Sequence, residues 1–254
     1  MKSDPLISII TPAYNAALTL EECYQSLLSQ TYTNWEWVVV DDGSSDDTWA
    51  RISQVAEHDP RVLAFKLAEN NGPAVARNFA LSRAKGRFIA FLDADDLWMK
   101  SKLDAQLSFM LQQKCAFTYS AYEIRDHEGK FVATFTPPEL VTFEDLLRSN
   151  VIGCLTVMVD RQYFGSIKMP LLRKRQDFGM WLNLLKQSGS ARRVPGTLAI
   201  YRKQLRSVSS NKLKAIPFTW RVYREVAGLG VIKSLLFITS QLTHGVLSRV
   251  LGRR

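Results

Sequence analysis

The chain predicts a mostly parallel, doubly wound α/β sheet. Short apolar runs rich in β-branched residues alternate with helical stretches four times in about 110 residues. Polar loops rich in Asp, Asn, Gly and Ser separate them, and the run Phe88–Leu92 is apolar without a break. An uninterrupted run of that length reads as a strand buried on both faces. Strand–helix alternation gives parallel strands joined by right-handed crossovers.

Leu6–Ile10 is read as the first strand, ended by Thr11-Pro12. Thr19 followed by Glu22 has the spacing of a capping box and starts a helix that runs to about Gln30. Glu36–Val40 is the second strand, and the loop Asp41–Asp47 leads into a helix that ends near Glu57. Val62–Phe65 is the third strand. Asn70-Asn71-Gly72 precedes Pro73, which suits the first turn of a helix that Gly86 closes. The central strand Phe88–Leu92 follows, then a helix over Lys100–Gln113.

Beyond this point the pattern is mixed. Cys115–Tyr119 and Leu155–Val159 read as strands, Tyr122–Phe135 as a hairpin turning at His127–Lys130, Phe143–Arg148 as a short helix, and Asp177–Lys186 as a helix. This half is expected to pack on the sheet as a second lobe. Ile216–Arg254 looks all-helical, with Ile232, Leu235, Leu236, Leu242, Val246 and Val250 at three- and four-residue steps.

With 254 residues, 46% apolar and 22% charged, the chain is long enough for a sizeable core and is not disordered in character. Its net charge of +9 conceals a division: residues 1–160 hold 14 basic and 22 acidic residues, and residues 161–254 hold 19 and 2. Such asymmetry points to an anionic partner for the second part. The tail is read either as an amphipathic helix lying on an anionic membrane surface, with Lys233, Arg249, Arg253 and Arg254 beside the apolar stripe, or as a helix packed on its own protein. It lacks a recognisable nucleic-acid module or basic–aromatic platform, so nucleic acid is not an expected partner. No secretory signal and no run of about 18 apolar residues is present. Cys23, Cys115 and Cys154 lack metal or disulfide spacing and read as core residues of a reducing compartment.

Three carboxylates, Asp93, Asp95 and Asp96, follow the central strand. Ligands of open α/β sheets bind just past the carboxyl ends of strands. Two oxygen donors there suit a divalent cation that also grips a phosphate, while a turn with helix-capping aspartates accounts for them equally. The loop after the second strand carries Asp41, Asp42, Asp46 and Asp47. Four acids would repel a bare phosphate but can accept hydrogen bonds from a base or ribose; a solvated turn is the alternative. Arg77 and Asn78 fall on the first turns of the helix after Asn71-Gly72. There a guanidinium can meet a diphosphate or simply face solvent. Dinucleotide and P-loop glycine motifs are absent, which argues against a dehydrogenase or a P-loop enzyme.

Taken in order, Ile9–Asn15, Val38–Thr48, Asn71-Gly72 with Ala76-Arg77-Asn78, and Phe91-Leu92-Asp93-Ala94-Asp95-Asp96 resemble the family 2 glycosyltransferases of the GT-A (nucleotide-diphospho-sugar transferase) fold. Arg175–Leu182 is similar to the acceptor-side motif of that family, with Gln176 where the family usually has Glu. Tyr201-Arg202, with Ser207 and Ser209, is similar to the basic segment that follows it. The resemblance implies a domain over residues 1–215, with a nucleotide-sugar half (1–113) and an acceptor half (114–215), and a basic helical tail (216–254). It implies that Thr11, Pro12 and Tyr14 line the base pocket and that Asp41 meets the base. It puts Arg77 and Ala94 beside the nucleotide and makes Asp93 and Asp95 ligands of Mn²⁺ or Mg²⁺. Asp177 is then the catalytic base, Gln176 and Trp181 lie on the acceptor side, and Arg202 covers the diphosphate.

The implied reaction is an inverting transfer of one sugar from a nucleoside diphosphate, UDP above all, to a lipid-linked or growing glycan of the bacterial surface, an O-antigen or capsule for instance. The enzyme would be cytoplasmic and peripheral on the inner face of the membrane. Such chemistry needs one carboxylate to deprotonate the acceptor hydroxyl and a cation to stabilise the departing diphosphate. Asp177 begins a helix, whose dipole favours the ionised form. A bare helix cap, or a catalytically silent sugar-nucleotide or membrane-binding module, is the alternative reading.

Overall fold

Four parallel strands set the frame: β1 (Ile7–Ala13), β2 (Trp35–Asp41), β3 (Val62–Lys66) and β4 (Phe88–Phe91). Between them run α1 (Leu20–Leu28), α2 (Thr48–His58) and α3 (Pro73–Arg83). The computed structural model describes residues 4–203 and 215–250, the last seven as backbone only. After β4 come β5 (Leu97–Trp98), α4 (Lys102–Gln113), β6 (Phe117–Arg125), β7 (Phe131–Phe135), β8 (Leu140–Thr142), α5 (Phe143–Arg148), β9 (Met158–Asp160), α6 (Arg161–Phe164), α7 (Gln176–Ser188) and β10 (Ser190–Arg202). α8 (Ile216–Arg221), a π-helical segment (Val222–Val226) and α9 (Val231–Val250) follow.

The strands form one sheet in the order β3-β2-β1-β4-β9-β6-β10-β5, with β7 on β6 and β8 on β10. Pairing is parallel from β3 to β4 and between β6 and β10. It is antiparallel wherever β5, β7, β8 or β9 joins. The second half therefore extends the first sheet as a mixed one. Alternation along the strands divides the core in two. Ile10, Val38, Val40, Ile89 and Phe91 pack with α3, α5 and α7. Ile7, Ile9, Trp37, Val39, Phe88 and Ala90 pack with α1, α2 and α4.

Several local expectations change. Thr11-Pro12 does not end the first strand, because β1 pairs with β2 through Ala13. Pro12 is tolerated because pairing with β4 stops at Ile10, so no ladder donor is needed there. The capping box at Thr19 is not formed: the Thr19 hydroxyl donates to Ala16 O at 3.2 Å. Leu155–Val159 is a short 3₁₀ turn, Cys154–Thr156, followed by β9.

Gly86 does not close α3. It lies against β1, donating its N–H to Ser8 Oγ at 2.8 Å and to Glu36 Oε1 at 3.2 Å. The buried Glu36 carboxylate also accepts from Ser8 Oγ and Lys85 N, both at 2.5 Å. A Cβ at position 86 would stand 2.6 Å from Ser8 N and 2.8 Å from Leu6 O, both backbone atoms that cannot move independently of β1. Gly86→Ala is expected to destabilise the fold by about 1–3 kcal/mol, the range for overpacking, read as a lower urea midpoint.

Lys102 is fully buried at the start of α4. Its ammonium donates to Gln106 Oε1 and, at 3.2 Å, to Thr156 O, and it stands 4.8 Å from the Trp98 ring centre. Burial pushes it down to about 7. Between that value and the ordinary lysine range the unfolded chain binds one more proton than the folded one. Stability should therefore rise with pH by up to about 1.4 kcal/mol per unit in that window, and the contribution is lost at lower pH. Lys102→Met should remove this slope in urea titrations run from pH 7 to pH 9.

Candidate active site

The strand ends of β1, β2 and β4 open onto a cleft of about 1420 Å³. At its centre is the turn after β4. Leu92 N still donates to Ile10 O at 3.1 Å, and Asp96 N then closes on Asp93 O at 3.0 Å. Asp93 and Asp95 thus sit on a turn. Asp93 Oδ1 accepts from Arg77 Nη2. Asp96 is buried beneath the turn and accepts from the backbone N–H of Arg202 at 3.0 Å. The half-buried Asp95 lines the cleft. Burial, then the charge of Asp93, raises Asp95 to about 6. Burial, then the charges of Asp95 and Asp93, holds Asp96 well above the usual carboxylate range.

Arg202 belongs to this turn. Its guanidinium donates to Asp95 O, to Glu22 Oε2 and, at 3.4 Å, to Thr19 O. It does not line the cleft, whereas its neighbours Tyr201 and Lys203 do. Its expected place over the diphosphate is thus corrected: the side chain is committed to holding the aspartate turn. Glu22, read in the sequence as half of a capping box, is its counter-ion. Ser207 and Ser209 lie outside the described residues.

The acidic loop spends its carboxylates on neighbouring loops. Asp42 accepts from Asn71 N at 3.0 Å and Gly72 N at 2.8 Å. Asp46 accepts from Thr48 N at 3.0 Å and Ala17 N at 3.2 Å. Asn15 N donates to Ser44 Oγ at 2.9 Å, and Ser45 N donates to Asn15 Oδ1 at 3.0 Å. Gly43 must be glycine here: its φ is +70° and a Cβ would meet Glu69 C at 2.6 Å. Three loops from three strands form one wired rim. Pro12, Tyr14 and Asp42 line the cleft; Thr11 and Asp41 lie under it, fully buried. Thr11 Oγ1 accepts from Trp37 Nε1 at 2.8 Å. Asp41 Oδ1 accepts from Ser44 N at 3.1 Å, and Asp41 Oδ2 is buried with no partner.

α7 also contributes to the cleft. Gln176 and Asp177, its first two residues, line the same cleft as Asp93, Ala94, Asp95 and Arg77. Arg77 is 4% exposed, and its Nε and Nη1 have no partner. Asp177 lies near enough for its charge to act on the Arg77 guanidinium. Trp181 does not reach the acceptor side. It is fully buried, 5.4 Å from Phe91 and 5.5 Å from Phe117 between ring centres, and it fixes α7 on the sheet. Residues the sequence had not singled out also line the cleft: Asn150, Cys154, Arg173 and Lys174. Cys154 is therefore a wall residue as much as a core one. Asn78, which the sequence pairs with Arg77, faces away and clamps the loop before α7, with Nδ2 to Met169 O at 2.9 Å and Met169 N to Oδ1 at 2.8 Å.

Among the described residues no three His, Cys, Asp or Glu side chains form a ready-made metal cage. The turn nevertheless fits a hard divalent cation: Asp95 lines the cleft beside Asp93, and no guanidinium among the described residues pairs with its carboxylate. Mg²⁺-like ions are held in this way by one or two carboxylates together with substrate phosphates.

The sheet order, with the acidic turn and Asp177 on one cleft at the strand ends, is that of a glycosyltransferase of the GT-A fold, as the following likenesses show. The chain belongs to the family described as glycosyl transferase family 2, which matches residues 8–159. It is 44% identical over 247 residues to the Bacillus subtilis (strain 168) protein TuaG, named as a candidate glycosyltransferase of teichuronic acid biosynthesis, covering 97% of this chain and 98% of that one. It is 42% identical over 223 residues to the Escherichia coli UDP-Glc:alpha-D-GlcNAc-diphosphoundecaprenol beta-1,3-glucosyltransferase WfgD, covering 86% and 85%. The fold matches S. aureus TarS 1–349 in complex with UDP-GlcNAc, with a TM-score of 0.73 and 22% identity over 93% of this chain and 71% of that one.

Proposed function

We propose that the protein is a metal-dependent, inverting glycosyltransferase. It would move a single sugar from a UDP-sugar to a lipid-linked or growing glycan in the assembly of a bacterial surface polysaccharide such as an O-antigen or capsule. One observation carries this reading: Asp177 and the Asp93–Asp95 turn line one cleft, and both act on the Arg77 guanidinium. A donor and an acceptor can therefore meet between a proton acceptor and an anion-gripping turn. The names of TuaG and WfgD support the pathway, and the UDP donor and diphospholipid-linked acceptor in the name of WfgD support the substrates.

In this account the base and ribose settle against Pro12, Tyr14 and Asp42, with Asp41 behind them. Asp41 Oδ2, the buried acceptor without a partner, is available to a base N–H. Arg77, held by Asp93, turns its unpartnered N–H groups to the donor. Asp93 and Asp95 would hold Mn²⁺ or Mg²⁺, which supplies charge stabilisation to the leaving UDP. Asp177 accepts the proton of the acceptor hydroxyl as its oxygen attacks the anomeric carbon from the face opposite UDP. Inversion follows from that single displacement.

Two measurements check the reading. Asp177→Asn should lower the transfer rate by about 10²–10⁴-fold, the usual contribution of a general base, while UDP still binds. A variant with near-normal transfer would contradict the assignment, and UDP release by no donor in a sugar-nucleotide panel would favour a silent module. The location proposed is the cytoplasmic face of the membrane, held peripherally. The excess of basic residues in 161–254 and the exposed Val231, Ile232, Leu235 and Leu236 of α9 support it. No helix among the described residues is long and apolar enough to cross a membrane. Arg253 and Arg254 lie outside the described residues, and Arg249 and Val246 contribute backbone only. The protein should co-sediment with vesicles rich in phosphatidylglycerol, less so at high salt, and Ile232→Ser/Leu236→Ser should weaken that binding.

A further inference from the structure

Around Asp177 the sequence and the structure place an unusual density of anion-binding groups. Arg173, Lys174 and Arg175 come two to four residues before it and line the same cleft. Arg173 and Arg175 form no salt bridge among the described residues. Arg175 holds a left-handed backbone, with φ of +64°, at the N-cap of the thirteen-residue helix α7, and no side chain caps that helix. Its first-turn N–H groups and its dipole thus remain available to an anion.

A second, independent observation points to a ligand here. Gln176, 9% exposed, lines the cleft with Oε1 buried and unpartnered, and so does Oδ1 of Asn150. Buried carboxamide groups are rarely left unsatisfied unless something else completes them. A carboxylate would repel an anion bound beside three cations, whereas a carboxamide does not. The loop that carries the cations is firmly seated. Asn78 clamps it at Met169, and Pro170 packs so closely on α7 that a Cβ on Gly179 would stand 2.7 Å from Pro170 Cγ. The cleft is also lined by Ile216, Ile238 and Leu242, beside the polar Thr219 and Gln241, and Ile238 and Leu242 belong to α9.

We infer that Arg173, Lys174 and Arg175, with the uncapped first turn of α7 and the Gln176 carboxamide, form a subsite for the diphosphate of a lipid-diphosphate-linked acceptor sugar. This subsite is separate from the place of the donor diphosphate at the aspartate turn. The inference rests on the glycosyl-transfer reading above and names its acceptor class. With the acceptor hydroxyl at Asp177, the diphosphate at the other end of the same sugar ring meets the three cations. The hydrocarbon leaves past Ile238 and Leu242 along α9. A neutral glycan would leave Arg173, Arg175 and the two carboxamides unanswered.

The test is isothermal titration of the full-length protein with two synthetic ligands. One is N-acetylglucosaminyl diphosphate bearing an undecyl chain; the other is undecyl N-acetylglucosaminide, which lacks the diphosphate. UDP is titrated in parallel. The wild-type protein should bind the diphosphate ligand at least about tenfold more tightly than the glycoside. Arg173→Ala/Arg175→Ala should abolish that preference, and Gln176→Glu should reduce it. Equal affinities in the wild-type protein, a comparison that needs no variant to fold, would overturn the subsite. So would a double variant that loses UDP affinity in place of the preference, because the cations would then serve the donor. A wild-type protein that binds no UDP would overturn the donor reading, and the subsite with it.

Discussion

Three carboxylates within four residues, at the tip of a fully buried strand, are the constraint on which the rest of the site depends. Left alone they would repel one another or take up protons. The fold answers with two guanidinium groups from opposite sides. Arg77, brought by α3, pairs with Asp93. Arg202, at the end of β10, binds the Asp95 carbonyl and anchors to Glu22 on α1, while its backbone N–H serves Asp96. The turn is thus held between α3 and the end of β10. Asp95 remains facing the cleft with a raised affinity for protons, which is also a raised demand for positive charge.

The same economy shapes the rim. Acidic residues that could have been free ligands are committed to backbone N–H groups of adjacent loops, so the pocket walls are rigid before any substrate arrives. Preorganised dipoles cost no reorganisation when charge develops between them. Among the described residues, the buried polar atoms without a partner include Asp41 Oδ2, two nitrogens of Arg77, and Oδ1 of Asn150 and Oε1 of Gln176.

Much of the parallel half was legible because its strands are buried on both faces and read as continuous apolar runs, Trp37–Val40 and Phe88–Leu92 above all. The motif loops were legible because their acids fall at strand ends. The mixed second half was harder: β6, β9 and β10 join the sheet through pairings distant in sequence, and β5 is only two residues long. Arg202 was placed on the wrong task for a related reason. Its counter-ion, Glu22, is 180 residues away, and local spacing offered Glu22 a more familiar role in a capping box. Trp181 was read as an acceptor contact from a motif, but on α7 its ring falls on the face that meets Phe91 and Phe117. Arg173 and Arg175 were hidden by an excess of basic residues throughout the same region, and only the fold shows that they share a wall with Asp177.

In the proposed mechanism the turn after β4 grips the donor diphosphate through a divalent cation. Calorimetric titration of UDP in the presence and absence of Mn²⁺, on the wild-type protein and on Asp95→Asn, addresses it most directly. The account predicts that Mn²⁺ strengthens UDP binding by at least about tenfold in the wild-type protein and that the Asp95 variant loses this enhancement. UDP affinities that are the same with and without Mn²⁺ in the wild-type protein would contradict it.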